Sequence, residues 1–244
     1  MEKDFRSRGI RFMRNTDHPK VSITSKIYYD ASAAILSNSD LKRYVDIGSL
    51  EYFEFSADEQ GNIDTYNFHN NLMRLDRSLY ADLSKEQLTI INDVPNIFDQ
   101  SFRNYTIGYR VRNNLIQGRS YYFYPTIEKV NRYGIRGTTD VAKNRDYIEQ
   151  FIKYLKIEDD DTRNEIIKYT SLFSKFKGIS VTFCSNRNTE YKIYAKVDTY
   201  KIYDLLEEKM VIDRSLYEPY GDVVLAAIRI SMNKIIGYNL YYLA

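Results

Sequence analysis

The feature that most constrains this chain is a pair of β-rich runs around a turn, met four times along 244 residues. Residues 50–56 (LEYFEFS) and 63–68 (IDTYNF) flank ADEQGN, and residues 105–111 (YTIGYRV) and 119–127 (RSYYFYPTI) flank RNNLIQG. GISVTFC passes through SNRNTE into residues 189–198 (TEYKIYAKVD), and residues 223–231 (VVLAAIRIS) return as 235–243 (IIGYNLYYL) after the turn MNK. Two β-rich runs around a short polar or Gly-containing loop read as a hairpin. Between the hairpins lie helical spacings over residues 70–80, 84–92, 139–155, 161–176 and 199–208. Ser84 with Gln87 three residues later predicts a capping box. The DDDT run puts acids where the dipole of the helix over 161–176 favours them, and Gly178 is read as that helix's stop. Residues 20–38 are read as the approach to a first helix, with 41–45 following it.

Consecutive hairpins separated by helices predict an α+β chain: an antiparallel sheet with its helices on one face. A large twisted sheet curls, and closure into a barrel ringed by helices removes its edges. The inside is then lined by alternate residues of each strand. In TEYKIYAKVD one face carries Tyr191, Ile193, Ala195 and Val197, apolar enough to pack under helices. The other carries Lys192, Tyr194 and Lys196. Tyr122 shares a face with Ser120 and Tyr124, and Arg110 shares one with Arg112 and Gly108. Arg229 falls with Ala227 and Leu225, while Tyr238 and Tyr242 share a face of the last strand. A lumen of cations and phenols suits an anion beside a developing carbocation. Lys and Arg hold phosphate oxygens by charge-assisted hydrogen bonds, and aromatic faces stabilise a cation by about 0.5–2 kcal/mol each. The residues alone leave a second arrangement open, in which these groups face solvent on an open sheet.

Composition narrows the partners. The chain has 24 Tyr and no Trp, and its net charge of +2 provides no field for nucleic acid or a membrane surface. Its one cysteine, Cys184, rules out a disulfide framework and a cysteine zinc site, as expected in a reducing cytoplasm. The opening MEKDFRSRGIRFMRN lacks the apolar core of a signal peptide, and no run approaches the length of a membrane-spanning helix. His18 and His69 have no partner ligands at useful spacing, and consecutive side chains of the EDDD run diverge around a helix start, so no metal site is expected.

Several short motifs, in order along the chain, resemble one family. LEYFEFS resembles the first strand of aromatic prenyltransferases of the dimethylallyl-tryptophan-synthase type. YKIYAK and SYYFYP resemble that superfamily's Lys-x-Tyr strands. SRGIRFMRNTDHPKV, YTIGYRV and GDVVLAAIRISMNKIIGYNLYYL resemble segments of the cyanobactin-type peptide prenyltransferases. The resemblance implies the ABBA fold, an antiparallel barrel of hairpins ringed by α-helices, as a single domain over residues 1–244. It implies transfer of a dimethylallyl or geranyl group from an allylic diphosphate, with Mg2+ on the diphosphate, to a ribosomally made, cyclic peptide. It makes Glu54 the catalytic acid/base and Lys192 with Tyr194 a diphosphate-binding pair. Tyr122 matches a second such pair in which Ser120 replaces the lysine, so Arg110 or Arg229 is expected to supply the missing charge. Tyr122, Tyr238 and Tyr242 are the expected carbocation shield.

The family's chains carry five hairpins, and four are visible here. Either one is lost, or a pair is hidden, with VNRYGIRGTT as a place for it. A partly open barrel would admit water, and a monomer or a homodimer are both compatible with the sequence. Two other readings stand beside the first: a non-catalytic barrel binding a peptide or single-stranded nucleic acid on its tyrosines, and a prenyltransferase for a small phenol or indole.

Overall fold

The structure, a computed structural model, describes residues 6–13, 20–25, 50–57, 63–71, 80, 82–98, 102–112, 115–125, 140–186, 188–210, 213–216 and 221–243. Within strands, the described side chains are those of Phe12, 106–112, 115–124 and the strand residues from 173 to 242. Ten strands form it: β1 (Arg6–Met13), β2 (Lys20–Ser25), β3 (Leu50–Ala57), β4 (Ile63–Asn71), β5 (Phe102–Arg112), β6 (Leu115–Pro125), β7 (Phe173–Cys184), β8 (Thr189–Val197), β9 (Val223–Ser231) and β10 (Lys234–Leu243). All pairings are antiparallel between sequence neighbours, and β1 closes the circle on β10. The ladder runs Phe12 opposite Tyr238 at the closing seam and Thr24 opposite Glu54 between β2 and β3.

The fifth hairpin is therefore β1–β2. Residues 20–25 form its second strand, where the sequence reading expected the approach to a helix. The run KVSITS is β-branched at Val21, Ile23 and Thr24, which favours a pleated strand over a helix. Residues 26–49 and VNRYGIRGTT lie outside the described residues, as does His18. The helical spacing at 70–80 begins inside β4, which runs to Asn71. LIQG, expected in a turn, belongs to β6, which starts at Leu115.

Among the described residues, four α-helices lie outside the barrel: α1 (Lys85–Ile97), α2 (Val141–Tyr154), α3 (Asp160–Ser171) and α4 (Thr199–Met210). Ser84 and Gln87 close the capping box on α1 as the sequence predicts. Asp140 and Asp159 cap α2 and α3, accepting from the backbone N–H of Lys143 and Thr162. The EDDD run is thus a helix start. The helix α3 ends at Leu172 and not at Gly178, because Phe173 already begins β7. Phe176, Ile179, Val181 and Phe183 on β7 are buried, as are Tyr121 and Phe123 on β6.

The core fills the space between barrel and helices. Phe151 of α2 packs edge-on to Tyr191 of β8 with ring centroids 5.7 Å apart. Tyr169 of α3 donates to the Ile193 carbonyl at 3.2 Å and meets Tyr238 at 6.0 Å between centroids. Phe98, just past α1, contacts Phe151, Tyr147 and Phe176. This layer fixes which side of each strand faces inward: Tyr191 and Ile193 face the helices, so Lys192 and Tyr194 face the lumen.

Two local devices bend the barrel wall. Met232 and Asn233, between β9 and β10, both adopt positive φ (48° and 60°), the conformation of a type I′ two-residue hairpin turn. On β7 the ladder pairs Phe176 with Ala195 and Gly178 with Tyr194, leaving Lys177 as an extra residue. Gly178 has φ 144°, and a Cβ there would fall 2.2 Å from the Phe123 carbonyl oxygen. Only glycine lets β6 approach this bulge so closely.

Candidate functional site

The lumen is best followed row by row along the ladder. One row joins Tyr122, Ser180, Lys192 and Arg229 across β6 to β9. The next joins Gly108, Ser120, Thr182, Glu190 and Ser231. Beyond it lie Arg110, Gly118 and Cys184. Paired residues of an antiparallel ladder share a face, so these rows line one surface.

Lys192 and Arg229 are 4% and 3% exposed, which no long cationic side chain tolerates without compensation. The compensation is Glu190, 5% exposed. Arg229 grips it with both arms of its guanidinium, Nε to Oε1 at 2.8 Å and Nη2 to Oε2 at 2.9 Å. Lys192 Nζ lies 3.6 Å from Oε1. Burial pushes the Glu190 carboxyl upward, but Lys192 and Arg229 outweigh it and hold the group well below the usual carboxylate range. Glu190 is therefore a permanent anion. It is the site residue that the sequence reading missed, although it lies two positions before Lys192 and continues the same period-2 face.

Arg110 brings a third cation to this end of the lumen, close enough to act on both Glu190 and Cys184. Its Nε is buried with no hydrogen-bond partner among the described residues. Counting Lys192, Arg229 and Arg110 against Glu190, three positive charges meet one negative, an excess of two. Such an excess in a desolvated chamber is a site for an anion.

Phenols continue the wall. Tyr194, 7% exposed, shares a hydrogen bond of 3.4 Å with the Ser180 hydroxyl. Its ring lies 6.1 Å from that of Tyr122, which stacks on Tyr124 at 6.5 Å. Burial pushes the Tyr194 hydroxyl well above its ordinary pKa, so it stays a neutral phenol. Ser120, standing where a lysine was expected, bonds Thr182 at 2.8 Å and supplies no charge.

Tyr238 and Tyr242 require a correction. The structure places both on the outer face, under the helices. Tyr238 donates to Glu165 of α3 at 2.6 Å, and Tyr242 lies 3.5 Å from the hydroxyl of Tyr203 on α4. Neither can shield anything inside the barrel. The inward tyrosine of β10 is Tyr241, which accepts from Asn239 at 3.0 Å. The sequence placed Tyr238 and Tyr242 together correctly but gave no means of choosing between the faces of a strand with tyrosine on both.

Glu54 stands in the ladder row of Arg110, with Asn67 between them. Its side chain lies outside the described residues. Cys184 ends β7 half-buried, and burial and Glu190 push its thiol up, which disfavours the thiolate form.

A ten-stranded antiparallel barrel of successive hairpins with helices outside is the ABBA fold. Among solved structures, the chain resembles 6-dimethylallyltryptophan synthase from Micromonospora olivasterospora in complex with DMASPP and Trp. The TM-score is 0.58 and the identity 10%, covering 98% of this chain and 81% of that one. It also resembles AnaPT from Neosartorya fischeri (TM-score 0.59, 9% identity, 98% and 77% covered). A third likeness is to 5-dimethylallyl tryptophan synthase from Streptomyces coelicolor in complex with DMASPP and Trp (TM-score 0.54, 8% identity, 97% and 78% covered). At these identities the likeness is one of fold. No family model matches the sequence, and no curated protein does.

Proposed function

We propose that the protein is a prenyltransferase acting inside its barrel, moving a dimethylallyl or geranyl group from an allylic diphosphate to a ribosomally made, cyclic peptide. The observation that carries this reading is the charge excess around Glu190 beside the Tyr194–Tyr122–Tyr124 band. A fold shared with dimethylallyltryptophan synthases, two of them solved with DMASPP and Trp, supports it.

The C–O bond of the donor breaks, and the diphosphate leaves with the electron pair. Lys192 and Arg110 take up its charge, while Arg229 is held by Glu190 and orients the cluster. The allylic cation lies against the faces of Tyr194 and Tyr122, neutral phenols that attract it by their quadrupole and exclude water. An electron-rich acceptor atom then forms the new bond and loses its proton to Glu54.

The resemblance also brings Mg2+ with the diphosphate. Among the described residues no three His, Cys, Asp or Glu side chains come together, and both oxygens of Glu190 are engaged by Arg229. These donors do not fit a metal held by the protein, and no step here passes through one. The reading takes residues 1–244 as one domain acting in the cytoplasm as a monomer or homodimer. No described helix is long and apolar enough to cross a membrane.

The test is to incubate the protein with five-carbon and ten-carbon allylic diphosphates and a panel of cyclic peptides bearing Tyr, Trp, Ser or Arg, and to read products by mass. A gain of one prenyl unit on a peptide is expected. Peptide binding without any prenylated product would favour the non-catalytic barrel, and prenylation of free tryptophan or phenols alone would remove the peptide acceptor.

A further inference from the structure

A second cationic cluster lies at the other end of the same lumen, where β8 leads into α4. Lys196 shares the inward face of Lys192 and Tyr194 and is exposed. Lys175 of β7 is its direct cross-strand partner. The bulge adds Lys177, the extra residue between Phe176 and Gly178. Like charges directly opposite on a ladder are destabilising, and this arrangement adds a third. Lys177 records the conflict: burial, then Lys175 and Lys196, push its ammonium down to about 8. The carboxylate next in sequence, Asp198, is committed to capping α4, accepting from the backbone N–H of Tyr200 and Lys201 at 3.1 Å. Three lysines thus converge at a bulge that only glycine can close.

Four residues of strand separate Lys196 from Lys192, roughly 13 Å at the rise of a β-strand. That is well beyond the reach of one diphosphate, so the two clusters serve different anions. The Tyr124–Tyr122–Tyr194 band connects them. Exposure rises from buried Lys192 and Tyr194, through half-buried Tyr122 and Tyr124, to exposed Lys196. A cation generated at the phenols must be covered by the acceptor, which enters last and projects toward the exposed end. Resting on the prenyltransferase reading, we propose that Lys175, Lys177 and Lys196 dock an acidic segment of the acceptor peptide. Its carboxylates would lie about three or four extended residues from the modified side chain.

The experiment uses the full chain and direct binding. Fluorescein-labelled Tyr-containing peptides are compared, with Asp or Glu three and four positions from the tyrosine or with Asn and Gln in their place. Binding to the protein and to its Lys177→Gln and Lys177→Gln/Lys196→Gln variants is read by anisotropy, and binding of dimethylallyl thiolodiphosphate by calorimetry. The acidic peptide should bind about tenfold more tightly than its amide counterpart, and the double variant should abolish that preference. Thiolodiphosphate affinity should change less than about twofold, and Lys177→Gln alone should raise the Tm by relieving the repulsion. Equal binding of acidic and neutral peptides would overturn the proposal, as would an intact preference in the double variant. A large loss of thiolodiphosphate affinity would instead assign the lysines to the donor. These readouts need no turnover, so absence of a prenylated product would sink the catalytic reading while leaving the docking result to stand or fall separately.

Discussion

Glu190 and Arg229 meet diagonally across β8 and β9, both carboxylate oxygens held by the guanidinium at 2.8 and 2.9 Å, with Lys192 at 3.6 Å on the same oxygen that Nε contacts. All three side chains are almost completely withdrawn from solvent. Removing one partner leaves an uncompensated buried charge, which costs about 3–5 kcal/mol. Glu190→Gln is expected to lower the stability by about that amount, measured by urea denaturation. Glu190→Gln/Arg229→Met should recover only part of the loss, because the bidentate pair disappears together while buried Lys192 still loses its counter-charge.

The same carboxylate sets the acid limit. Its folded pKa is depressed, so its stabilisation is complete above the ordinary carboxylate pKa and is lost as pH falls below it toward the folded value. The Tm of the wild-type protein is expected to fall below about pH 4, with a shallower fall in Glu190→Gln/Arg229→Met. Thermal scans from pH 3 to pH 7 check this.

Lys177 sets the opposite slope at high pH. Its folded pKa is about 8 and its ordinary value 10.5, so the folded chain binds fewer protons between them. The cost of its charge is fully present below about pH 8 and disappears as pH rises toward the unfolded value. Stability should therefore rise across that window, and Lys177→Gln should flatten the rise.

At Gly178 a Cβ meets the Phe123 carbonyl at 2.2 Å with φ at 144°. Gly178→Ala should cost about 2 kcal/mol or more through strain and a displaced β6. Hydrogen exchange should show the loss of protection first in β6 and β7.

The prenyltransferase reading separates Tyr238, on the outer face, from Tyr194, on the inner. Tyr238→Phe leaves Glu165 without its 2.6 Å donor and should cost about 1–3 kcal/mol of stability with kcat unchanged at a temperature where the protein is folded. Tyr194→Ala should lower kcat for prenyl transfer by removing a phenol face from the cation. Glu54→Ala should abolish turnover and spare thiolodiphosphate binding, whereas Lys192→Ala should weaken that binding about tenfold or more.

Much of this molecule was legible from local pattern. Four hairpins, the capping box at Ser84, the acidic start of α3 and the alternation of β8 all follow from periodicity and side-chain chemistry within ten or so residues. Gly178 shows the limit. A glycine after a helical spacing looks like a helix stop, but here it serves contact with a strand more than fifty residues earlier. The first hairpin was hidden, although RNTDHP between its strands holds turn residues, because KVSITS is only six residues long and β1 finds its other partner in β10, the last strand of the chain.

By itself the sequence determined which residues alternate together: Lys192 with Tyr194, Tyr238 with Tyr242, Arg110 with Gly108. Period-2 geometry is a property of one strand and needs no other. Only the tertiary structure decided which of two tyrosine-rich faces of β10 turns inward, because that depends on Tyr169 and Glu165 of α3 covering one side. It alone also brought Glu190 of β8 onto Arg229 of β9, a contact made across strands where burial makes the pairing of opposite charges obligatory.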